Sequence, residues 1–319
     1  MIALERVKPL RLHKNEVLLN RLSKNHVKRP LIESEQRKRM AGYQGEKASD
    51  YFVKKLPEKE YLIFHGLRLQ NGDSFFQMDT MILSKKLTLN LEIKNYIGTI
   101  YFDSKHKQLI QSVNNLEKAY LCPIVQAKRQ REEWTNWLKE RKIQLPLDYL
   151  VVISNPSTII KSDPQYYEAQ RNVIHPQEIG ERMNKLSMQY TEDQLTSNDI
   201  KKLAKLLIKN HIPETYDVLS YFKIPETDII TGVQCLQCEK FGMERIHGTW
   251  HCPTCQLKNK DAHLQAMNDY FLLINSTITN KKLCEFLHLS SPYTASRLLK
   301  KMNLPYTGSK KGRMYTQKN

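Results

Sequence analysis

Asp79, Glu92 and Lys94 are the residues of this chain whose types and spacing could do chemistry together. Side chains alternate across a strand with period two, so in "LTLNLEIKN" Leu87, Leu89, Leu91 and Ile93 share one face, and Thr88, Asn90, Glu92 and Lys94 the other. In "FFQMDTMIL" the same alternation puts Gln77, Asp79 and Met81 opposite Met78, Thr80 and Ile82. If the two segments pair around the loop 84–87, position 79 faces position 92 with Cβ atoms about 4.5–5.5 Å apart. Two carboxylates so close repel, and a divalent cation between them is the natural remedy. Oxygen-only ligation suits Mg²⁺ or Mn²⁺, which keep several waters and also take phosphate oxygens. A neighbouring lysine can orient or help deprotonate a metal-bound water and neutralise charge growing on a phosphate. Glu46, in "GYQGE", is placed to reach in as a further metal ligand or water partner, and Gln126 to hydrogen-bond the phosphate or the lysine.

A second constellation is "VQCLQCEKFGMERIHGTWHCPTC", which gives Cys235-x2-Cys238, thirteen residues, then Cys252-x2-Cys255. Each pair turns tightly enough to present two thiolates to one ion, and four thiolates suit tetrahedral Zn²⁺ in a closed, structural site. The segment between the pairs is about the length of a β-hairpin, so the unit resembles a zinc ribbon; His247 and His251 read as surface histidines nearby. Cys122 and Cys284 stand alone and read as structural thiols.

These residues need elements to hold them. Residues 41–56 have helical spacing through Tyr43, Ala48, Phe52 and Leu56, and Gly42, Gly45, Ala48 and Ser49 allow close approach to a neighbour. Extended segments follow, "YLIFHGL", "FFQMDTMIL", "LTLNLEIKN" and "TIYFD", joined by the hairpin-like "QNGDS" and "SKK". A long helix runs over about 123–141 with Val125, Trp134, Trp137 and Leu138 among its apolar positions, and "DYLVVISNP" reads as a buried strand. Helix, strands, helix and strand in that order predict an α/β (α+β) domain with a mixed central sheet flanked by helices. Residues 175–220 read as helical, with Thr196 or Ser197 as an N-cap.

By this point the motifs are identifiable. Gly42-x-x-Gly45-Glu46, Gln77-Met78-Asp79, Glu92-Ile93-Lys94-Asn95 and the following Gly98 resemble the nuclease-related domain (NERD) family, a branch of the PD-(D/E)XK nuclease-like superfamily. Asp79, twelve residues, then Glu92-x-Lys94 follows the superfamily's D…E-x-K pattern. Pro123 and Gln126 are similar to the family's Pro-x-x-Gln, with Cys122 where an Asn is usual. The resemblance covers about 38–185 and implies a restriction-endonuclease-like sheet with metal-dependent cleavage of a phosphodiester. It implies catalytic roles for Glu46, Asp79, Glu92, Lys94 and Gln126, with Mg²⁺ on Glu46, Asp79 and Glu92.

The last stretch, 261–319, reads as a helix-turn-helix with a short wing, a winged-helix-like unit. Leu283, Phe286 and Leu287 mark one helix; Ser290 or Ser291 caps the next, which turns Ala295, Leu298, Leu299 and Met302 inward. Its outward Tyr293, Thr294, Ser296, Arg297, Lys300 and Lys301, with Lys310, Lys311 and Arg313 in the wing, suit groove or phosphate contact. Nine Lys/Arg against three acids give this stretch +6, within a chain of 319 residues carrying +17. That balance favours a polyanionic partner. Ordinary apolar content and the lack of an apolar run near the ~18 residues a bilayer needs argue against a membrane protein. Early charge in "MIALERVKPLRLHK" argues against a secretory signal, so the expected compartment is the cytoplasm.

The expected organisation is a basic arm over 1–37, the nuclease-related domain over 38–185, a helical linker over 186–230, the ribbon over 231–260 and the helix-turn-helix over 261–319. Eleven Lys/Arg against four glutamates in the first 40 residues suit phosphate contact by the arm. The expected activity is Mg²⁺-dependent endonucleolytic cleavage of double-stranded DNA. The rivals are a regulator or adaptor that binds DNA on a nuclease-like scaffold without cutting it, and an RNA-directed nuclease.

Overall fold

The alternation of residues 87–93 builds a strand buried on both sides. Leu87, Leu89, Leu91 and Ile93 enter one hydrophobic cluster, while Thr88, Asn90 and Glu92 on the opposite face are also fully buried. Such a strand needs helices on both faces of its sheet, and the computed structural model, which describes residues 1–317 with the Lys311 side chain excepted, has them.

The chain opens with β1 (Ile2–Leu4), α1 (Leu10–Arg21) and the long α2 (Arg29–Val53). Strands β2 (Leu62–Asn71), β3 (Ser74–Leu83), β4 (Thr88–Lys94), β5 (Thr99–Asp103), β6 (Gln108–Val113) and β7 (Leu116–Leu121) follow. Next come α3 (Pro123–Lys139), β8 (Leu147–Ile153), β9 (Ile159–Ser162), α4 (Tyr167–Asn172), β10 (Val173–Ile174), α5 (Ile179–Gln189), α6 (Ser197–Asn210) and α7 (Val218–Phe222). The remainder holds β11 (Val233–Gln234), β12 (Phe241–Ile246), β13 (Thr249–His251), β14 (Lys258–Asn259), α8 (His263–Leu273), β15 (Thr277–Thr279), α9 (Asn280–Leu287), α10 (Pro292–Lys301), β16 (Tyr306–Thr307) and β17 (Met314–Thr316).

Two units divide these elements: Met1–Pro9 with Lys38–Glu214, and Leu10–Arg37 with Thr215 onward. The first is a mixed α/β unit with sheet order β1-β2-β3-β4-β8-β10. β2, β3 and β4 are antiparallel neighbours, whereas β4–β8, β8–β10 and β1–β2 run parallel. The end of α2 and helix α5 cover one face through Val53, Leu56, Ile179 and Met183. α3 and α6 cover the other through Trp134, Trp137, Leu203 and Leu207. The two tryptophans stack with centroids 5.9 Å apart. A second sheet, β7-β6-β5-β9, packs Ile100, Phe102 and Leu109 with the buried Cys122 and the start of α3.

Four expectations need correcting. The strict alternation drawn for β3 fails: Met78 and Met81 lie in the same cluster, and Ile82 in the other. Gly66, with φ +63°, takes the β2 position facing Asp79, and the strand pairing passes from His65–Thr80 to Leu67–Met78 without it. Both strands reset their faces at that point, which glycine permits. Beyond residue 41 the buried positions of α2 are Gly45, Ser49 and Val53, with Leu56 buried just past its end, Ala48 exposed and Tyr43 only half-buried. A Cβ on Gly45 would meet Ser154 Oγ at 2.4 Å and Asn95 Cβ at 2.8 Å, so glycine sets the approach of α2 to the sheet there. Residues 1–37 form no single arm: β1 joins the sheet beside β2, and α1 buries Val17, Leu18 and Leu22 in the second unit. Their apolar stripe was hidden by the charges on the other face of the same helix. Strands β6 and β7 were not foreseen: β7 is exposed over most of its length, and "QLIQSV" in the half-buried β6 has no strict apolar alternation.

In the second unit, the four-stranded β11-β12-β13-β14 sheet carries the cysteine pairs, and β15-β17-β16 accompanies α9 and α10. One cluster joins Trp250, Met267, Phe286, Leu298 and Leu299. Arg21 is wholly buried there, with Nε 2.7 Å from Asp269 Oδ2 and its guanidinium against the rings of Phe241 and Phe286. Among the described residues, no helix is long and apolar enough to cross a membrane.

Candidate functional site

The β3–β4 hairpin brings the acids together. Leu83 pairs with Thr88 and the register runs through Thr80–Leu91, so the next facing positions are Asp79 and Glu92. The strands part there: Asp79 Oδ2 accepts a hydrogen bond from the Ile93 N–H at 2.9 Å. Glu92 is completely buried. Its Oε2 accepts from Gln130 Nε2 at 2.8 Å, and Lys94 Nζ lies 2.6 Å from its Oε1. Lys94 also donates to Gln126 Oε1 at 3.2 Å, so Gln126 engages the lysine.

Glu46 reaches the same field from α2, but its carboxylate is gripped by Arg6, which also forms a fork on Asp50 at 2.8 and 2.9 Å. Among the described residues, Glu46, Asp79 and Glu92 therefore do not form a set of oxygens all within 4.8 Å of one another.

The electrostatics follow from burial and crowding. Burial, then the Asp79 charge, pushes the Glu92 carboxyl up to about 7 against the pull of Lys94 and Gln130. Burial and Asp79 push Glu46 up to about 8 against the pull of Arg6. Burial alone would lower the Lys94 ammonium, but Glu92 and Asp79 outweigh it and raise its pKa. A lysine held protonated in this way steadies negative charge better than it accepts a proton.

The donor set fits a hard divalent cation. Glu92 Oε1 is buried and faces the Lys94 ammonium at 2.6 Å, so an ion held by Glu92 and Asp79 would share that oxygen with Lys94.

Sequence reasoning missed Gln130, Arg6 and Asp50. Gln130 is buried on α3, donates to the Gln77 carbonyl at 2.8 Å and accepts from Asn90 Nδ2 at 2.7 Å, fixing the Glu92 side chain between β3 and β4. Gln126 and Gln130, and Glu46 and Asp50, are each four apart on a helix, and that spacing was the available signal. For Arg6, 40 residues from Glu46, spacing offered none.

The four cysteines do meet. Cys235 Sγ is 3.5 Å from Cys255 Sγ and Cys238 Sγ 3.6 Å from Cys252 Sγ, with all four within 4.8 Å of one another. Two like turns present them: the Cys235 N–H bonds the Lys240 carbonyl and the Cys252 N–H that of Leu257, each at 2.9 Å. N–H groups of Cys255 and Thr254 pull the Cys252 thiol down to about 6 despite burial. The set fits a zinc ribbon and could bind zinc.

At the end of the chain, Ser291 caps α10 through the Thr294 N–H, and α9 ends at His288 in the left-handed region. Tyr293, Arg297, Lys300 and Lys310 are exposed, and Thr294 and Arg313 half-buried. Two expected contact residues are otherwise engaged: Ser296 Oγ accepts from Asn280 at 2.8 Å, and Lys301 pairs with Asp261 at 3.1 Å. The Lys311 side chain lies outside the described part.

Asp79, Glu92 and Lys94 thus lie on neighbouring strands of a helix-covered mixed sheet. Residues 41–154 match the family model of the nuclease-related domain, which takes in Glu46, Asp79, Glu92, Lys94 and Gln126. That match makes this part of the chain nuclease-related and suggests a nucleic acid as partner. No curated protein and no solved structure matches the chain.

Proposed function

We propose that the protein is a cytoplasmic, metal-dependent endonuclease that hydrolyses double-stranded DNA. The observation that supports this reading is the β3–β4 register, whose last pair, Thr80–Leu91, leaves Asp79 and Glu92 next in line, with Lys94 against Glu92. Asp79 and Glu92 would hold Mg²⁺ or Mn²⁺, with Glu46 as the third carboxylate of the site. When bound, the ion supplies an activated water and charge neutralisation at the phosphate. Lys94, kept protonated by its acidic neighbours, steadies charge on the attacked phosphate. Gln126 holds the Lys94 ammonium in place, and Gln130 does the same for Glu92. Zn²⁺ on Cys235, Cys238, Cys252 and Cys255 would close the ribbon as a structural site, a thiolate set that suits a reducing compartment. α9 and α10 would act as a helix-turn-helix, presenting Tyr293, Arg297 and Lys300 to duplex DNA with β16–β17 as its wing.

Incubation of plasmid with Mg²⁺ and the wild-type protein, Glu92→Ala or Lys94→Ala tests the reading. Nicking by wild type and a loss of at least a hundredfold in both variants is expected. Equal nicking by all three would sink it. A second reading, binding without hydrolysis, draws on the hold of Arg6 on Glu46. Its signature in the same experiment is salt-sensitive DNA binding that Arg297→Ala weakens, Glu92→Ala leaves alone, and no cutting accompanies.

A further inference from the structure

Arg6 lies ahead of the matched domain, yet its side chain is only 7% exposed and spends its donors on the site. It follows β1, whose parallel pairing with β2 delivers it to the sheet edge. Nε and Nη2 fork onto Asp50; Nη1 binds Glu46; Nη2 also reaches Thr80 Oγ1 at 2.7 Å and the Asp79 carbonyl at 3.2 Å. His65 Nδ1 lies 3.0 Å from Nη2. Burial pushes this imidazole down to about 4, so it stays neutral and can accept that bond. One planar group thus ties two acids of α2 to the β3 backbone at the residue that carries the third acid. A guanidinium can do this because its donors are fixed in one plane; an ammonium is a single point of charge.

We propose that Arg6 is a positioning residue of this site, fixing Glu46 on α2 relative to Asp79 on β3 and keeping it from collapsing onto the metal. The proposal rests on reading the site as a metal-dependent nuclease. In it, Asp79 and Glu92 would hold the ion, and Glu46 would act from the place at which Arg6 fixes it. The domain matched by residues 41–154 is then incomplete without the segment before it.

The consequence separates metal binding from cutting. Losing a positive charge near a cation site favours the ion, whereas losing the fork misplaces Glu46. The test uses the full chain as wild type, Arg6→Lys, Arg6→Ala and Glu92→Ala. Mn²⁺ affinity is read by electron paramagnetic resonance of the free ion, plasmid nicking alongside, and melting temperature for each protein.

Arg6→Lys is expected to bind Mn²⁺ within about twofold of wild type and to cut at least about tenfold more slowly. Arg6→Ala should bind Mn²⁺ several-fold more tightly and cut more slowly still. Cutting within twofold of wild type in both variants overturns the proposal. So does a fall of Mn²⁺ affinity and cutting together in step with melting temperature, the mark of a mere strut. If Arg6→Ala does not fold, Arg6→Lys alone decides. The nuclease reading fails separately, and takes the proposal with it, if wild type does not cut or Glu92→Ala cuts and binds Mn²⁺ like wild type.

Discussion

Glu92 and Glu46 give the clearest account of what single residues do here, because both are pushed towards the neutral form by burial and by Asp79. A carboxyl whose folded pKa is raised keeps its proton while the unfolded chain has already lost it. Its contribution to stability is therefore full at low pH and is lost as pH climbs from the ordinary value of 4.5 through about 7 for Glu92 and about 8 for Glu46. The metal-free protein should melt at falling temperature across that window. Mn²⁺ should restore more of it at the upper end, since the ion needs Glu92 ionised and gains from the charge on nearby Glu46. Melting curves with and without Mn²⁺ check this, and a metal effect that is flat from pH 5 to about 8 would contradict it. The residues at this scale were unevenly legible. Asp79, Glu92 and Lys94 could be read because period two and a short hairpin set their geometry locally. Arg6 could not, since its contacts depend on where β1 docks. The protonated state of Lys94 is likewise a property of burial that no spacing conveys.

At the scale of elements, α2 and the β3–β4 hairpin carry the site, and small residues decide how closely they meet. Gly45 and Gly42 stand three apart on the same helix but in opposite situations. A Cβ at Gly45 has no room, whereas nothing lies within 4 Å of one at Gly42. Gly45→Ala should cost about 1–3 kcal/mol from overpacking, less what alanine returns in helix propensity, and should lower cutting by displacing Glu46. Gly42→Ala should gain about 0.5–1 kcal/mol. Denaturant midpoints of the two variants give the comparison, and a stabilising Gly45→Ala would show that α2 does not rest on Ser154 and Asn95 as described. Strands β2, β3, β4 and β8 of the central sheet, the hairpin turns, α3 and the Thr196 cap were readable because each announces itself within a few residues. The face change at Gly66 and Asp79 was not, since it arises from two strands twisting together. Nor were β6 and β7, which pair through their backbones; β7 exposes most of its side chains, and β6 fully buries only Leu109.

At the scale of the whole molecule, the two units have separable chemistry and separable reporters. Trp134 and Trp137 belong to the first and Trp250 to the second. Stripping zinc with a strong chelator, or Cys238→Ser, should open the ribbon and shift the emission of Trp250 to the red. The other two tryptophans should keep theirs, and cutting at low salt should survive. The same red shift in a Trp250→Phe background would refute that assignment.

The interleaving of the units along the chain also has a consequence for how the protein is made. The contacts of Arg6 with α2 close within 44 positions, but Arg21 must wait 248 positions for Asp269. At translation speeds of about 5–20 residues per second, that interval lasts on the order of tens of seconds. For most of it the apolar stripe of α1 has only Ile32 of its final cluster to pack against, so the newborn chain carries a partly uncovered helix until residues 216–229 and Leu273 are made.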